Sequence, residues 1–339
     1  MIKLVCYNDD MNILAAITKI LVAGSAEYIE AERAKEKIKD PKTGLITLQY
    51  QGADNTKLTI LGTEHQNDIH HPEITYLGEL VEAIPADSKI VLILEGQYGN
   101  TQDLPEDPVE AIKVAGGEFG YLAALARQRG IEYVPGEPDP HTTAEQILRE
   151  RPDISRGNIV LHYALKTLAP LFRDVKKLPV KAVALYIHHS VGIAGDITAG
   201  GWVQHATSRD EVLVMSDEQK TEIIAEMPEI VRKLNAQFEE VQPGVQLLDL
   251  QIDGTLHLLY DLNKSPVMWD PAPEILGQPV TMLTEISRLD MLMRDRHTFH
   301  LIQQALDEGK EPIVAVGNSH VTTLKPALDA VFRTVRATV

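Results

Sequence analysis

The chain has 339 residues, enough for one large domain or two moderate ones. Apolar residues make up 44% of it and charged residues 24%, a globular balance that excludes a long disordered block. A formal charge of -17 repels phosphate backbones and argues against nucleic acid as a partner, and the single cysteine, Cys6, excludes an internal disulfide or a thiolate metal cluster.

No run approaches the eighteen or more apolar residues of a membrane helix, and Asp9 and Asp10 interrupt the first apolar run where a signal peptide would continue it. A cytoplasmic protein without a membrane partner is the expectation. Its oligomeric state stays open, with a homodimer among the options.

The chain opens on a strand at 2–7 and a helix at 13–21, followed by a charged helix and turn over 28–44. Residues 46–50 and 58–61 read as a strand pair joined by the turn Gly52-Ala53-Asp54-Asn55. A polar loop with His65, His70 and His71 precedes a helix over 73–84. The run Ile90-Val-Leu-Ile-Leu94 has the continuous apolar character of a strand covered on both faces, and it stops at Glu95. A Gly- and Pro-rich loop leads to a helix over 117–129 with Gly130 as its C-cap, then a strand at 131–134 that ends at Pro135-Gly136-Glu137. Thr142 and Glu145 form a capping-box pattern for the next helix. The middle third reads as helix over 144–178, a strand at 182–187 before His188 and His189, a glycine-rich loop, a helix over 218–239, and a strand pair near 245–250 and 256–260. A long helix over 285–309 leads to the strand 313–316, the sequence Gly317-Asn-Ser-His320 and a closing helix. Strand–helix alternation of this kind predicts an α/β fold, a mainly parallel central sheet flanked by helices. The domain expectation is a single α/β domain over 1–339, with its core at 46–138 and 285–330 and 140–284 as a helical insertion or subdomain.

Four apolar strands each run into a polar residue: His65, Glu95, Glu137 and His320. In a parallel sheet these four share the carboxyl edge, where ligands of open α/β sheets bind. Two histidines and one or two carboxylates suit a divalent metal with a position left for water. Taken singly, a histidine or glutamate at a strand end is more often a helix cap or an ion-pair partner. The repeated Gly-x-x-His pattern, at Gly62 and at Gly317, is stronger than either copy alone. Glu64 is a candidate general base beside His65, and the two glycines are expected to let the chain turn tightly at the strand ends. Arg294 and Arg296 break the apolar face of their helix. They are candidates for stabilising an oxyanion or a substrate carboxylate, or for a surface ion-pair cluster. No phosphate loop, His-Glu-x-x-His helix or Gly-x-Ser-x-Gly elbow is present.

Gly62-Thr-Glu-His65, Leu94-Glu-Gly-Gln97, Gly136-Glu-Pro138, Arg294-Asp-Arg296 and Gly317-Asn-Ser-His320 together resemble the TraB/TIKI-like family, within the broader erythromycin esterase/ChaN-like group. The resemblance covers 58–138 and 285–330 and implies an erythromycin esterase/ChaN-like core. It implies His65 and His320 as motif histidines, Glu95 and Glu137 as the acidic positions, and Arg294 and Arg296 on the family's arginine-bearing helix. The leading expectation is a hydrolase of an ester or amide bond, dependent on Mn, Co or Zn. Its metal is held by His65, Glu137 and His320, with Glu64, Glu95, Arg294 and Arg296 as catalytic groups and a small molecule or peptide as substrate. A metal-free esterase with His65 as general base and a non-enzymatic small-molecule or haem-binding protein are the alternatives.

Overall fold

In the computed structural model, the described residues are 30–31, 34–52, 56–66, 68–85, 88–96, 104–114, 117–155, 158–159, 162, 218, 280 and 282–337. The chain divides into two compact units, Met1–Asp139 with Met291–Val339, and Pro140–Asp290. The expected elements at 2–7, 13–21, 182–187, 245–250 and 256–260 lie outside the described residues, as do Cys6, His188, His189 and all of 218–239 except residue 218.

The first unit is built on a six-stranded sheet: β1 (Ile46–Gln51), β2 (Lys57–Thr63), β3 (Ile90–Leu94), β4 (Glu132–Pro135), β5 (Glu311–Gly317) and β6 (Arg333–Ala337), in the order β4-β3-β5-β2-β1-β6. β4, β3, β5 and β2 pair in parallel, and β1 runs antiparallel between β2 and β6. The flanking helices of this unit are α1 (Pro72–Glu82), α2 (Pro108–Val114), α3 (Glu118–Arg129) and α6 (Asn318–Val331). Helix α4 (Pro140–Glu150) belongs to the second unit, and α5 (Met282–Asp307) is divided between the units at Asp290. This is a mixed α/β fold with a central sheet and flanking helices.

Sequence and structure agree best where the apolar pattern is least interrupted. β3 is wholly apolar because it lies inside the sheet, between β4 and β5. Leu92 and Leu94 pack with Leu77 and Val81 of α1 and with Phe119, Leu122 and Ala123 of α3. Strand alternation turns Gly62 of β2 away from Leu61, which shares that cluster, and toward Val321 of α6 on the other face. Gly130 closes α3 in the left-handed region, with φ 66°.

Three expectations are corrected. The helix expected to be capped at Thr142 and to run over 144–178 begins three residues earlier, at Pro140, because proline's fixed φ suits the first helical turn, and it ends at Glu150, where a turn follows. The loop expected after β3 contains the short helix α2. The end of the chain adds β6 to the sheet beside β1.

Candidate functional site

The parallel strands end along one edge, in the spatial order β4, β3, β5, β2. Register sets Thr63 of β2 opposite Gly317 of β5, and Leu94 of β3 opposite both Ala315 of β5 and Pro135 of β4. Residues far apart in sequence therefore meet: His65 follows β2, Glu95 follows β3, Glu137 follows β4, and His320 lies in the first turn of α6.

His65 is held from below. Its Nδ1–H donates to Glu118 Oε1 at 3.1 Å, and the same oxygen accepts from Thr63 Oγ1 at 2.6 Å. Glu118 is 1% exposed, whereas half of the His65 side chain is open to solvent. The ring also meets Phe119 edge-on, with centroids 5.6 Å apart. His65 has φ 59°, a left-handed conformation that costs an L-residue about 1–2 kcal/mol and that is found at functional sites.

That strain corrects the expected role of the motif glycines. Gly62 continues β2 and Gly317 has φ -59°, so neither makes a left-handed turn; His65 does. The glycines supply room instead. A Cβ on Gly317 would lie 2.5 Å from His65 Nε2 and 3.2 Å from Glu95 Oε2, and one on Gly62 would lie 2.6 Å from both Asn318 Oδ1 and Val321 Cγ2. The bare α-carbon of Gly317 thus allows His65 Nε2 and a Glu95 oxygen to flank it.

The rest of the site is organised around Glu95. Its Oε2 accepts from the Gly317 amide at the start of α6, and its Oε1 accepts from Arg294 Nη2 at 2.6 Å. Arg294 also pairs closely with Glu137 Oε1, so one guanidinium spans the ends of β3 and β4. On the other side, His320 Nε2 lies 3.5 Å from Glu95 Oε1. His320 Nδ1–H donates to Asp295 Oδ1 at 2.5 Å, and Thr323 Oγ1 donates to Asp295 Oδ2 at 2.5 Å. Asp295 is fully buried and His320 nearly so. Thr298, one turn beyond Arg294 on α5, donates to the Gly136 carbonyl at 2.9 Å and ties the helix to the end of β4.

Burial alone would make His320 harder to protonate, but Asp295 and Glu95 outweigh it and push its pKa up to about 9. Burial would likewise raise the Glu95 carboxyl, yet His320 and Arg294 hold it well below the usual carboxylate range. Desolvation opposes protonation of His65 as well, and the Glu118 hydrogen bond with the charges of Glu95 and Glu118 brings its pKa above the ordinary value.

Of the residues singled out from sequence, His65, Glu95, Glu137, Arg294 and His320 come together. Glu64 points elsewhere, its Oε1 pairing with Lys39 Nζ at 2.8 Å. Arg296 reaches Met293 Sδ on its own helix at 3.9 Å. His71 caps α1 by accepting from the Glu73 amide, and the His70 amide bonds to Asp68. Among the described residues no group of three or more His, Cys, Asp or Glu side chains is placed to hold a metal ion. Arg294 pairs with both Glu95 and Glu137.

Sequence reasoning missed Glu118, Asp295 and Thr323. A signal for the two acids was present. Asp295 shares a helical stripe with Leu292, Phe299 and Ile302, and Glu118 shares one with Leu122 and Leu125. A carboxylate inside an apolar stripe is buried, and a buried carboxylate needs a partner.

No family model matches the chain, and no significant match was found among curated proteins or solved structures. Among the described residues no helix is long and apolar enough to cross a membrane.

Proposed function

We propose that the site hydrolyses an ester or amide bond, with His65 as general base. One observation carries this reading: the Nδ1–H of a half-exposed imidazole is held by a buried glutamate, while its Nε2 sits against Gly317 beside Glu95. A carboxylate on Nδ1–H fixes the tautomer and leaves Nε2 able to take a proton from water. Arg294 and His320 hold the Glu95 carboxylate in place beside His65, where its negative charge favours the protonated imidazole that forms when Nε2 takes the proton. The motif resemblance to the TraB/TIKI-like family supports a hydrolase over other acid–base chemistry, and it implies an ester, amide or peptide substrate.

The test is hydrolysis of chromogenic acyl esters and peptide amides by the wild type and by His65→Asn. The wild type is expected to turn over at least one of them, at a rate that rises with pH through a value above the ordinary histidine 6.5. His65→Asn is expected to lose about 100-fold or more. Full activity in His65→Asn overturns the assignment.

A second reading, dependence on Mn, Co or Zn, is favoured by a different observation. Both histidines have Nδ1 on a buried carboxylate, the arrangement that orients Nε2 toward a metal. It requires Arg294 to leave Glu95 and Glu137. Activity lost on chelation and restored by one of these ions, with metal content falling in His320→Ala, selects it over the first.

A further inference from the structure

Glu73 is fully buried in the first turn of α1, and neither the motifs nor the proposed chemistry gives it a role. Both of its carboxylate oxygens lie 3.3 Å from the Glu64 amide nitrogen, in the peptide that joins Thr63 to Glu64, one residue before His65. The turn after β2 is therefore clamped twice. Glu118 takes the side chains of Thr63 and His65, and Glu73 takes the main chain between them. That main chain leads into the one non-glycine residue with positive φ among the described residues, and a left-handed histidine persists only where its surroundings over-determine it. α1 is itself anchored for this task, with Pro72 in its first turn and His71 Nδ1 accepting from the Glu73 amide at 3.3 Å.

We propose that Glu73 is a positioning residue for His65, holding the Glu64 amide so that the left-handed turn keeps the imidazole on Glu118 with Nε2 facing Glu95. The role extends the general-base reading of His65 and rests on it for its catalytic meaning, although the geometry can be tested without turnover. Burial is the largest influence on the Glu73 carboxyl and, with Glu118 and Glu64 nearby, moves it up to about 7. An acceptor that works in either protonation state fits that environment, because a neutral carboxyl keeps its carbonyl oxygen for the amide.

The protonation of His65 reports its alignment with Glu118, and imidazole NMR of the full chain reads it directly. The His65 signal is assigned by its absence in His65→Asn. Glu73→Gln retains an acceptor of the same length and is expected to leave the His65 titration near the wild-type value. Glu73→Asp keeps a carboxylate but withdraws it from the Glu64 amide, and Glu73→Ala removes the acceptor. Both are expected to lower the His65 pKa by about one unit, as an aligned opposite charge is lost. If Glu73→Ala does not fold, Glu73→Asp decides. An unchanged His65 pKa in Glu73→Asp overturns the proposal, and so does a Glu73→Gln that shifts as far as Glu73→Asp, since charge rather than position would then be at work. Absence of turnover on every ester and amide would overturn the hydrolase reading and leave these titrations unaffected.

Discussion

The two Gly-x-x-His segments look alike in sequence and are used differently. At the end of β2 the histidine is half exposed, on strained backbone, with one carboxylate under it. At the end of β5 it lies in the first turn of a helix, nearly buried, between Asp295 and Glu95. The difference follows from what comes after each motif. Behind His65 the chain enters a polar loop, whereas behind His320 it enters α6 directly, and helical geometry turns the ring inward toward α5. One imidazole is open to solvent; the other is buried between two carboxylates that raise its pKa. A shared motif thus marks a shared location without implying a shared role.

The sharpest way to break this comparison is to remove the buried acid. Asp295→Ala leaves a buried imidazolium without its partner and is expected to cost about 3–5 kcal/mol, read as a fall in denaturation midpoint. A loss below about 1 kcal/mol would show that His320 is not charged in the folded protein. His65→Asn is expected to change stability by no more than about 1 kcal/mol while removing activity, since the ring is half exposed and Glu118 keeps Thr63.

Titration separates the halves more finely. The folded pKa of His320, about 9, lies above its ordinary 6.5, so its contribution is complete below 6.5 and is lost as pH rises through 9. Glu73 is an acid whose folded pKa is raised from 4.5 to about 7, so stability falls as pH rises through that interval, where the unfolded chain ionises first. Measured as unfolding free energy against pH, His320→Gln is expected to flatten the upper window and Glu73→Gln the lower. The comparison fails if both variants flatten the same window.

The strands and their common edge were legible because β3 and β5 carry short apolar runs that end abruptly in polar residues. The sequence alone places Glu95 and His320 at one edge. It does not place their partners, because the contacts of Arg294 depend on strand order. No local pattern sets β5 between β2 and β3, and only that insertion brings Gly317 between His65 and Glu95. The buried acids carry a signal of their own. Glu73, Glu118 and Asp295 each occupy an apolar helical stripe, and a charge there marks a satisfied interior group more strongly than a charge on a strand end does. The short α2 was hidden by the prolines and glycines around it, which signal a loop more strongly than seven residues signal a helix.

The insertion of β5 also bears on how the protein is made. β2 and β3 are synthesised long before the strand that joins them, since β2 ends at Thr63 and β3 at Leu94 while β5 begins only at Glu311. Until then each presents an unpaired apolar edge, the kind of surface that invites pairing with another chain. A ribosome-bound chain that stops short of residue 311 therefore lacks the middle of its sheet as well as His320. The same late strand closes the sheet and completes the site, so a chain that has hidden its sticky edges has, by the same step, assembled the residues around Glu95.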